Sequence, residues 1–308
     1  MPAPGVVPVS LRDPAAAFAD RLWDSFARYG FAVVADHGLD ARLIDRAYAA
    51  AKVFFALPEA EKLKWRTPGG GGQRGYTPFG VEAAKGAAEV DLKEFWHVGR
   101  ELAPGHRFRP MMPDNVWPDV QDFRAALYGL YGALDALGLQ VLGALATRLE
   151  LPRGYFNAAV GEGNSILRLL HYPPTPPNPS GVRAGAHEDI NAITLLLGAE
   201  EAGLQLLDRD GRWLEIAPPP GCVVVNIGDM LQRLTNHVLP STTHRVVNPT
   251  ADRAHLPRYS IPFFQHFTPD FLIETLPSCM DAQRPNRYPQ PITAHDYLLE
   301  RLREIRLT

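Results

Sequence analysis

Cysteine is scarce: Cys222 and Cys279 are the only two in 308 residues, far apart and each followed by an apolar residue. That spacing excludes a disulfide framework and predicts buried, reduced thiols. An excess of basic residues is also missing. The 31 Lys and Arg stand against 34 Asp and Glu, a formal charge of −3, without the basic footprint that nucleic-acid binding needs. No apolar run reaches the length of a membrane span. Met1 to Gly5 offers neither a cationic start nor an apolar stretch of the signal-peptide kind, so a soluble, cytoplasmic protein with no membrane partner is expected. Gly69-Gly70-Gly71-Gly72 lacks the spacing of a phosphate loop and no Lys-Ser or Lys-Thr follows it, so it reads as a mobile surface loop. No internal repeat is visible.

What is present is core material, with 46% hydrophobic residues. It changes pattern near residue 160. Before that point helical spacing dominates: Phe18, Leu22, Phe26 and Tyr29 mark one face of a helix from Ala15 to Tyr29. Gly30 stops it, and Phe31-Ala32-Val33-Val34 reads as a short buried strand. Asp40 can cap a second helix that ends at Leu57-Pro58. Phe123 to Leu149 is a long helix with a heavily apolar face. After residue 160 come short β-rich runs: Ile166–Leu170, Ile193–Leu197, Leu204–Leu207, Trp213–Ile216, Cys222–Ile227, His244–Val247 and Tyr259–Phe264. Asp210-Gly211 and Pro220-Gly221 are turn signals between them, Pro173–Pro179 is a connecting loop, and Ala294 to Ile305 is a last helix packing back on the barrel. The predicted fold is mainly β with flanking helices, a jelly-roll core with a C-terminal helix over 161–308 joined in one unit to a helical region over 1–160 whose short strands pack on the core.

The chemistry lies in the β-rich half. His187-Glu188-Asp189 opens an apolar run, and His244 and Arg258-Tyr259-Ser260 follow. On an extended chain residues i and i+2 share a side, so His187 and Asp189 can hold one ion while Glu188 faces away. A jelly roll can bring His244 to them from a distant strand. Two imidazoles and one carboxylate suit Fe(II), Mn(II) or Co(II) and leave positions open for O2 and a chelating cosubstrate. Arg258 and Ser260 again share a side. A guanidinium matches a carboxylate with two parallel hydrogen bonds, and a hydroxyl can add a third. Tyr172 can offer a phenol to the same carboxylate. His37, His106, His255 and His295 read as surface or structural histidines.

With these residues placed, the chain resembles the isopenicillin N synthase-like branch of the Fe(II)/2-oxoglutarate-dependent dioxygenases, almost end to end. The resemblance rests on Gly30 to Gly38, on Phe54-Phe55-Ala56-Leu57-Pro58 with Glu61-Lys62, and on Asn115-Val116-Trp117-Pro118. It continues through Arg168 to Pro174, Asn226-Ile227-Gly228-Asp229 and Asn236 to Ser241. It implies a double-stranded β-helix, iron held by His187, Asp189 and His244, and 2-oxoglutarate held by Arg258 and Ser260 with Tyr172. Phe264 would form a pocket wall. The implied reaction couples oxidative decarboxylation of 2-oxoglutarate by O2 to hydroxylation of a small molecule, with desaturation or ring closure as variants. One departure is Leu170-His171-Tyr172-Pro173 where the family often carries Asn-Tyr-Tyr-Pro, so only the second tyrosine carries over. His171 is expected to be packed.

Candidate substrate contacts are Arg74, Tyr76, Phe95, His97, Phe264 and Gln265; Arg74, beside the glycine cluster, would suit an acidic substrate. Three other readings stay open at this point. They are an Fe(II) oxidase of the same fold without 2-oxoglutarate, a zinc or manganese enzyme such as an isomerase on a similar barrel, and a non-catalytic binding barrel. The sequence does not choose the substrate or the oligomeric state.

Overall fold

The computed structural model describes residues 5–67, 72–82, 90–176, 179–197 and 203–304. The glycine cluster lies outside them except for Gly72, and so do part of the proline-rich loop (177–178) and Ile305.

Helical spacing produces helices α1 (Ala15–Tyr29), α2 (Ala41–Phe55), α3 (Glu59–Leu63), α4 (Phe123–Arg148) and α5 (Tyr155–Val160), with α6 (Asp229–Leu234) and α7 (Ala294–Glu304) later in the chain. Gly30 ends α1 in the left-handed region, φ 66°, and its N–H returns to Phe26 O. A side chain there would also meet Thr242 Oγ1 at 2.2 Å. Asp40 caps α2 by accepting from Arg42 N at 2.9 Å.

Among the described residues fourteen strands are formed: β1 (Pro8–Ser10), β2 (Phe31–Ala35), β3 (Gly75–Thr77), β4 (Glu94–Gly99), β5 (Ile166–Tyr172), β6 (Ala184–His187), β7 (Ile193–Leu197), β8 (Leu204–Leu207), β9 (Trp213–Glu215), β10 (Val223–Ile227), β11 (His244–Val246), β12 (Arg258–Gln265), β13 (Leu272–Ile273) and β14 (Ile292–Thr293). Eight build one sheet in the order β1-β2-β10-β7-β12-β5-β4-β3, four build another as β6-β11-β8-β9, and β13 pairs with β14. β1 to β4 precede residue 160 yet are hydrogen-bonded into the larger sheet. The helical pattern of that half hid β3 and β4, because β4 carries Glu94 and follows Lys93, charges that break the apolar alternation.

Alternation sorts the larger sheet into two faces. One face, with Ala32, Leu167, Leu169, Leu195, Val223, Val225, Ile261 and Phe263, packs on α1, α2 and α4 and makes the main core. The other looks toward the four-stranded sheet, where Phe31, Val33 and Val224 meet Ala184, Leu204, Leu206 and Val246. The result is a jelly-roll core with a helical layer on one side. Farther across the same inner face, Phe95, Leu170 and Tyr172 form a small separate cluster. Polar residues share the face with it.

α4 qualifies this picture in one respect. By length and apolarity it could cross a membrane, which a scan for one unbroken apolar run does not register. Here Leu127, Leu130, Leu134, Val141 and Leu145 are fully buried in the main core, the position of a core helix. Both cysteines are free and buried. Leu134→Ala should destabilise the protein by about 2–5 kcal/mol through transfer and cavity costs. Urea unfolding would check this.

Candidate metal centre and its surroundings

β6 ends at His187 and β11 begins at His244, and the two residues pair directly across the antiparallel ladder. Directly opposed side chains project to one face, and the two rings stand 4.4 Å apart between centroids. Asp189 follows on the loop into β7. That loop is held from below by α6: Asp229 N donates to Asp189 O at 2.7 Å, and a side chain at Gly228 would lie 2.1 Å from Asn191 O.

Hydrogen bonding decides which atoms are left for an ion. His187 Nδ1 donates to Gly185 O at 2.7 Å and His244 Nδ1 to Thr242 O at 3.1 Å, since a carbonyl can only accept. Each Nε2 therefore carries the lone pair. Asp189 Oδ2 accepts from Thr194 Oγ1 at 2.6 Å and Asn226 Nδ2 at 2.8 Å. Its Oδ1 is 3.8 Å from both Nε2 atoms. The three ligand atoms lie within 4.8 Å of one another. Burial pushes His187 down to about 4, and His244 beside it works in the same direction. Burial opposes the Asp189 carboxylate, but the two histidines and the two hydrogen bonds outweigh it and its pKa falls. His187 and Asp189 are thus held in the forms that bind a divalent metal.

Arg258 and Ser260 lie on the inner face of β12, opposite Tyr172 and Leu170 of β5. Arg258 Nη1 donates to Ser260 Oγ at 3.1 Å, and its guanidinium sits 5.0 Å from the centre of the Tyr172 ring. Both residues are buried. Side by side they present donors suited to a carboxylate.

Of the pocket residues expected from sequence, Phe264 sits opposite Thr194, and Phe95 and His97 share the inner face of β4. Arg74 crosses the same face, with its guanidinium over Gly99. Tyr76 and Gln265 are not brought to the site, which corrects their place in that set. The Tyr76 phenol donates to Glu94 and its ring packs against Phe54. Gln265 Nε2 donates to Asp135 O on α4 at 3.1 Å. The reason is parity: Gln265 is one residue beyond inward Phe264, and Tyr76 lies opposite Trp96, which faces the helices. His171 is packed outward as expected, stacked 4.7 Å from Tyr259 with Nδ1 2.7 Å from Glu94 Oε1.

Sequence reasoning attached no role in the site to Thr194, Asn226 or Arg168. Arg168 was within reach, since Tyr172, Leu170, Arg168 and Ile166 alternate onto one face. Thr194 lies only five residues beyond Asp189, but nothing local shows that its hydroxyl turns back to the carboxylate; Asn226 stands in a motif of the resemblance, and its partner Asp189 is 37 residues away.

Residues 6–120 match the family described as non-haem dioxygenase in morphine synthesis N-terminal, and residues 163–267 the 2OG-Fe(II) oxygenase superfamily. The 2-oxoglutarate-Fe(II) type oxidoreductase hxnY of Emericella nidulans is 36% identical over 87% of this chain and 78% of its own. A crystal structure of a 2OG-Fe(II) oxygenase family protein from Caulobacter crescentus superposes with a TM-score of 0.91 at 57% identity, covering 97% of this chain and 99% of the other. A full-length Neurospora crassa protein, solved in complex with alpha-KG and thymine, matches at 30% identity and a TM-score of 0.86, with 98% of each chain covered.

Two measurements follow from this geometry. Thr194→Val or Asn226→Ala removes one of the two hydrogen bonds on Asp189 Oδ2 and should weaken divalent-metal affinity by roughly 10- to 100-fold, read by competition with a chelator. The second concerns acid. Burial pushes His266 down to about 4, Arg74 adding to it and Asp189 opposing; burial and Arg168 hold His97 well below its usual value. The unfolded chain takes up these protons near pH ~6.5, so stability is complete above that value and falls as pH drops toward 4. The metal-free protein should lose about 2 kcal/mol between pH ~7 and ~5 from His266 alone, seen in its urea midpoint.

Proposed function

The chain belongs to the 2OG-Fe(II) oxygenase superfamily, and from that premise we propose that His187, Asp189 and His244 hold Fe(II) while Arg258 and Ser260, backed by Tyr172, hold the far carboxylate of 2-oxoglutarate. The protein is a 2-oxoglutarate-dependent dioxygenase acting on a small molecule. The observation that carries the assignment of the metal residues is the gathering of two imidazole Nε2 atoms and one carboxylate oxygen within 4.8 Å of one another.

The donor set fits Fe(II): two neutral nitrogens and one anionic oxygen leave residual positive charge and open positions. When bound, the iron and 2-oxoglutarate would supply oxidising power from O2. What the chain supplies is position and shelter. Gly185 O and Thr242 O fix the two imidazole tautomers, and Thr194 and Asn226 fix the carboxylate rotamer. The guanidinium of Arg258 orients the cosubstrate by its distal end. Phe31 packs edge-on against the His244 ring at 5.5 Å, and with Val33, Val224 and Leu206 keeps water from that side.

The motifs that resemble the isopenicillin N synthase-like branch, together with the matched N-terminal family, support membership of that branch. Two free buried thiols support a reducing, cytoplasmic location. Reliance on 2-oxoglutarate rather than an oxidase reaction is supported by the buried Arg258–Ser260 pair.

Anaerobic titration tests these roles. Adding 2-oxoglutarate to the Fe(II) protein should produce a weak visible charge-transfer band. His187→Ala should abolish it, and Arg258→Ala should raise the required concentration by roughly 10- to 100-fold, as loss of a charge-assisted pair demands. A full band at unchanged concentration in Arg258→Ala would remove that residue from the cosubstrate site.

A further inference from the structure

Register across the larger sheet defines a row running away from the metal centre. Asn226 pairs with Thr194, Thr194 with Phe264, Phe264 with Ile166, and Ile166 with Gly99. The first two hold Asp189. Phe264 and Ile166 are half-buried, an apolar floor beside the metal. At the far end Gly99 has no side chain, and a Cβ there would lie 1.9 Å from Arg74 Cζ, so the guanidinium fills that space. Three strand spacings separate Thr194 from Gly99, roughly 14 Å.

One step along the strands, Arg168 and His97 are paired across β5 and β4. His97 Nδ1 donates to Gly72 O at 2.5 Å, which leaves Nε2 to accept from Arg168 Nε at 2.6 Å. Arg168 Nη1 and Nη2 donate to Glu82 at 3.2 and 3.4 Å. The guanidinium is held 4.2 Å from the centre of Phe95 and 5.2 Å from that of Phe264. One N–H on each terminal nitrogen is left over from these contacts.

Charge then separates the two arginines. Glu82 also pairs with Lys93 at 2.8 Å, and Lys93 with Asp91 at 2.7 Å, so two cations face two carboxylates around Arg168. When bound, Fe(II) and Arg258 would likewise match Asp189 and dianionic 2-oxoglutarate. Among the described residues Arg74 has no carboxylate in contact with it, and Asp114, the acid that acts on it from a distance, is itself paired with Arg109. Arg74 is 2% exposed, its bonds go to Gln73 O and Asn164 Oδ1, its Nε has no acceptor, and no carboxylate lies within ion-pair distance among the described residues. An unmatched buried cation is costly, and an occupant carrying one negative charge would relieve it.

We propose that the substrate is a small planar monoanion, an aromatic or heteroaromatic carboxylic acid. Its ring lies on Phe264 and Ile166, and its carboxylate accepts from Arg168 in the field of Arg74. Glu82 and His97 are positioning residues that hold Arg168 flat. This rests on the function proposed above and narrows it. A neutral ring, such as the thymine held by the solved relative, is the contrary outcome.

Calorimetry under anaerobic conditions tests it, on protein carrying Fe(II) and saturating 2-oxoglutarate. Benzoate, phenylacetate and cinnamate are each titrated against the corresponding primary amide. The acid should bind about 10-fold or more tightly than its amide, the scale of a hydrogen bond to a charged group. Arg168→Gln should bring the ratio to near one while leaving the 2-oxoglutarate band unchanged. Arg74→Gln should weaken the acids and spare the amides, with Arg74→Lys restoring acid binding in part; the lysine variant serves alone where the glutamine variant does not fold. Amides binding as well as acids, an acid preference that survives Arg168→Gln, or no binding across the panel would each overturn the proposal. Absence of the 2-oxoglutarate band in the unmodified protein would instead strike at the cosubstrate assignment.

Discussion

Asp189 accepts two hydrogen bonds on one carboxylate oxygen, from Thr194 and from Asn226, and so turns its other oxygen toward the two histidines. Without that division the carboxylate could rotate, and the three ligand atoms would converge only part of the time. Thr194 and Asn226 are neighbours on β7 and β10, at the middle of the larger sheet. The outer residues of those same strands, Ile193, Leu195, Val225 and Ile227, are fully buried in the main core. The precision of a polar site is therefore borrowed from apolar packing on the opposite face, one residue away along each strand.

The same alternation organises charge. Along β4, Glu94 and Trp96 face the helices while Phe95 and His97 face the interior between the sheets. Each face carries its own buried network. Outward, Glu94 accepts from Lys62 at 2.7 Å and from Tyr76, and meets His171 at 2.7 Å. Inward, Arg168, His97, Glu82 and Lys93 are joined. Buried charges on both sides of one strand are tolerated because each is paired within its own layer. Among the described residues Arg74 departs from that rule, and it lies on the inner face at the end of the row that starts at Asn226 and Thr194 beside Asp189.

Much of the architecture was legible from periodicity. Helices α1 and α2 and the β-rich second half follow the expected apolar spacing because one side of each element meets a core. Strands β3 and β4 were not legible, since Lys93 and Glu94 look like solvent-facing residues until their partners Glu82 and Lys62 are brought to them from elsewhere in the chain. Among site residues, parity along β12 was enough to group Arg258, Ser260 and Phe264, and would also have set Gln265 apart. Tyr76 could be placed only through its pairing with Trp96.

The sequence by itself determined the chemistry of the donors: two imidazoles, one carboxylate and one Arg-x-Ser pair, each readable because neighbours on an extended chain alternate sides. It also carried the family. Tertiary structure alone decided how those donors are used. The antiparallel pairing of His187 with His244, the capture of one Asp189 oxygen by Asn226 alongside nearby Thr194, and the contrast, among the described residues, between a neutralised Arg168 and an unmatched Arg74 all depend on contacts between segments far apart in the chain. Local patterns encode which way a side chain points; only the folded register encodes what it meets there.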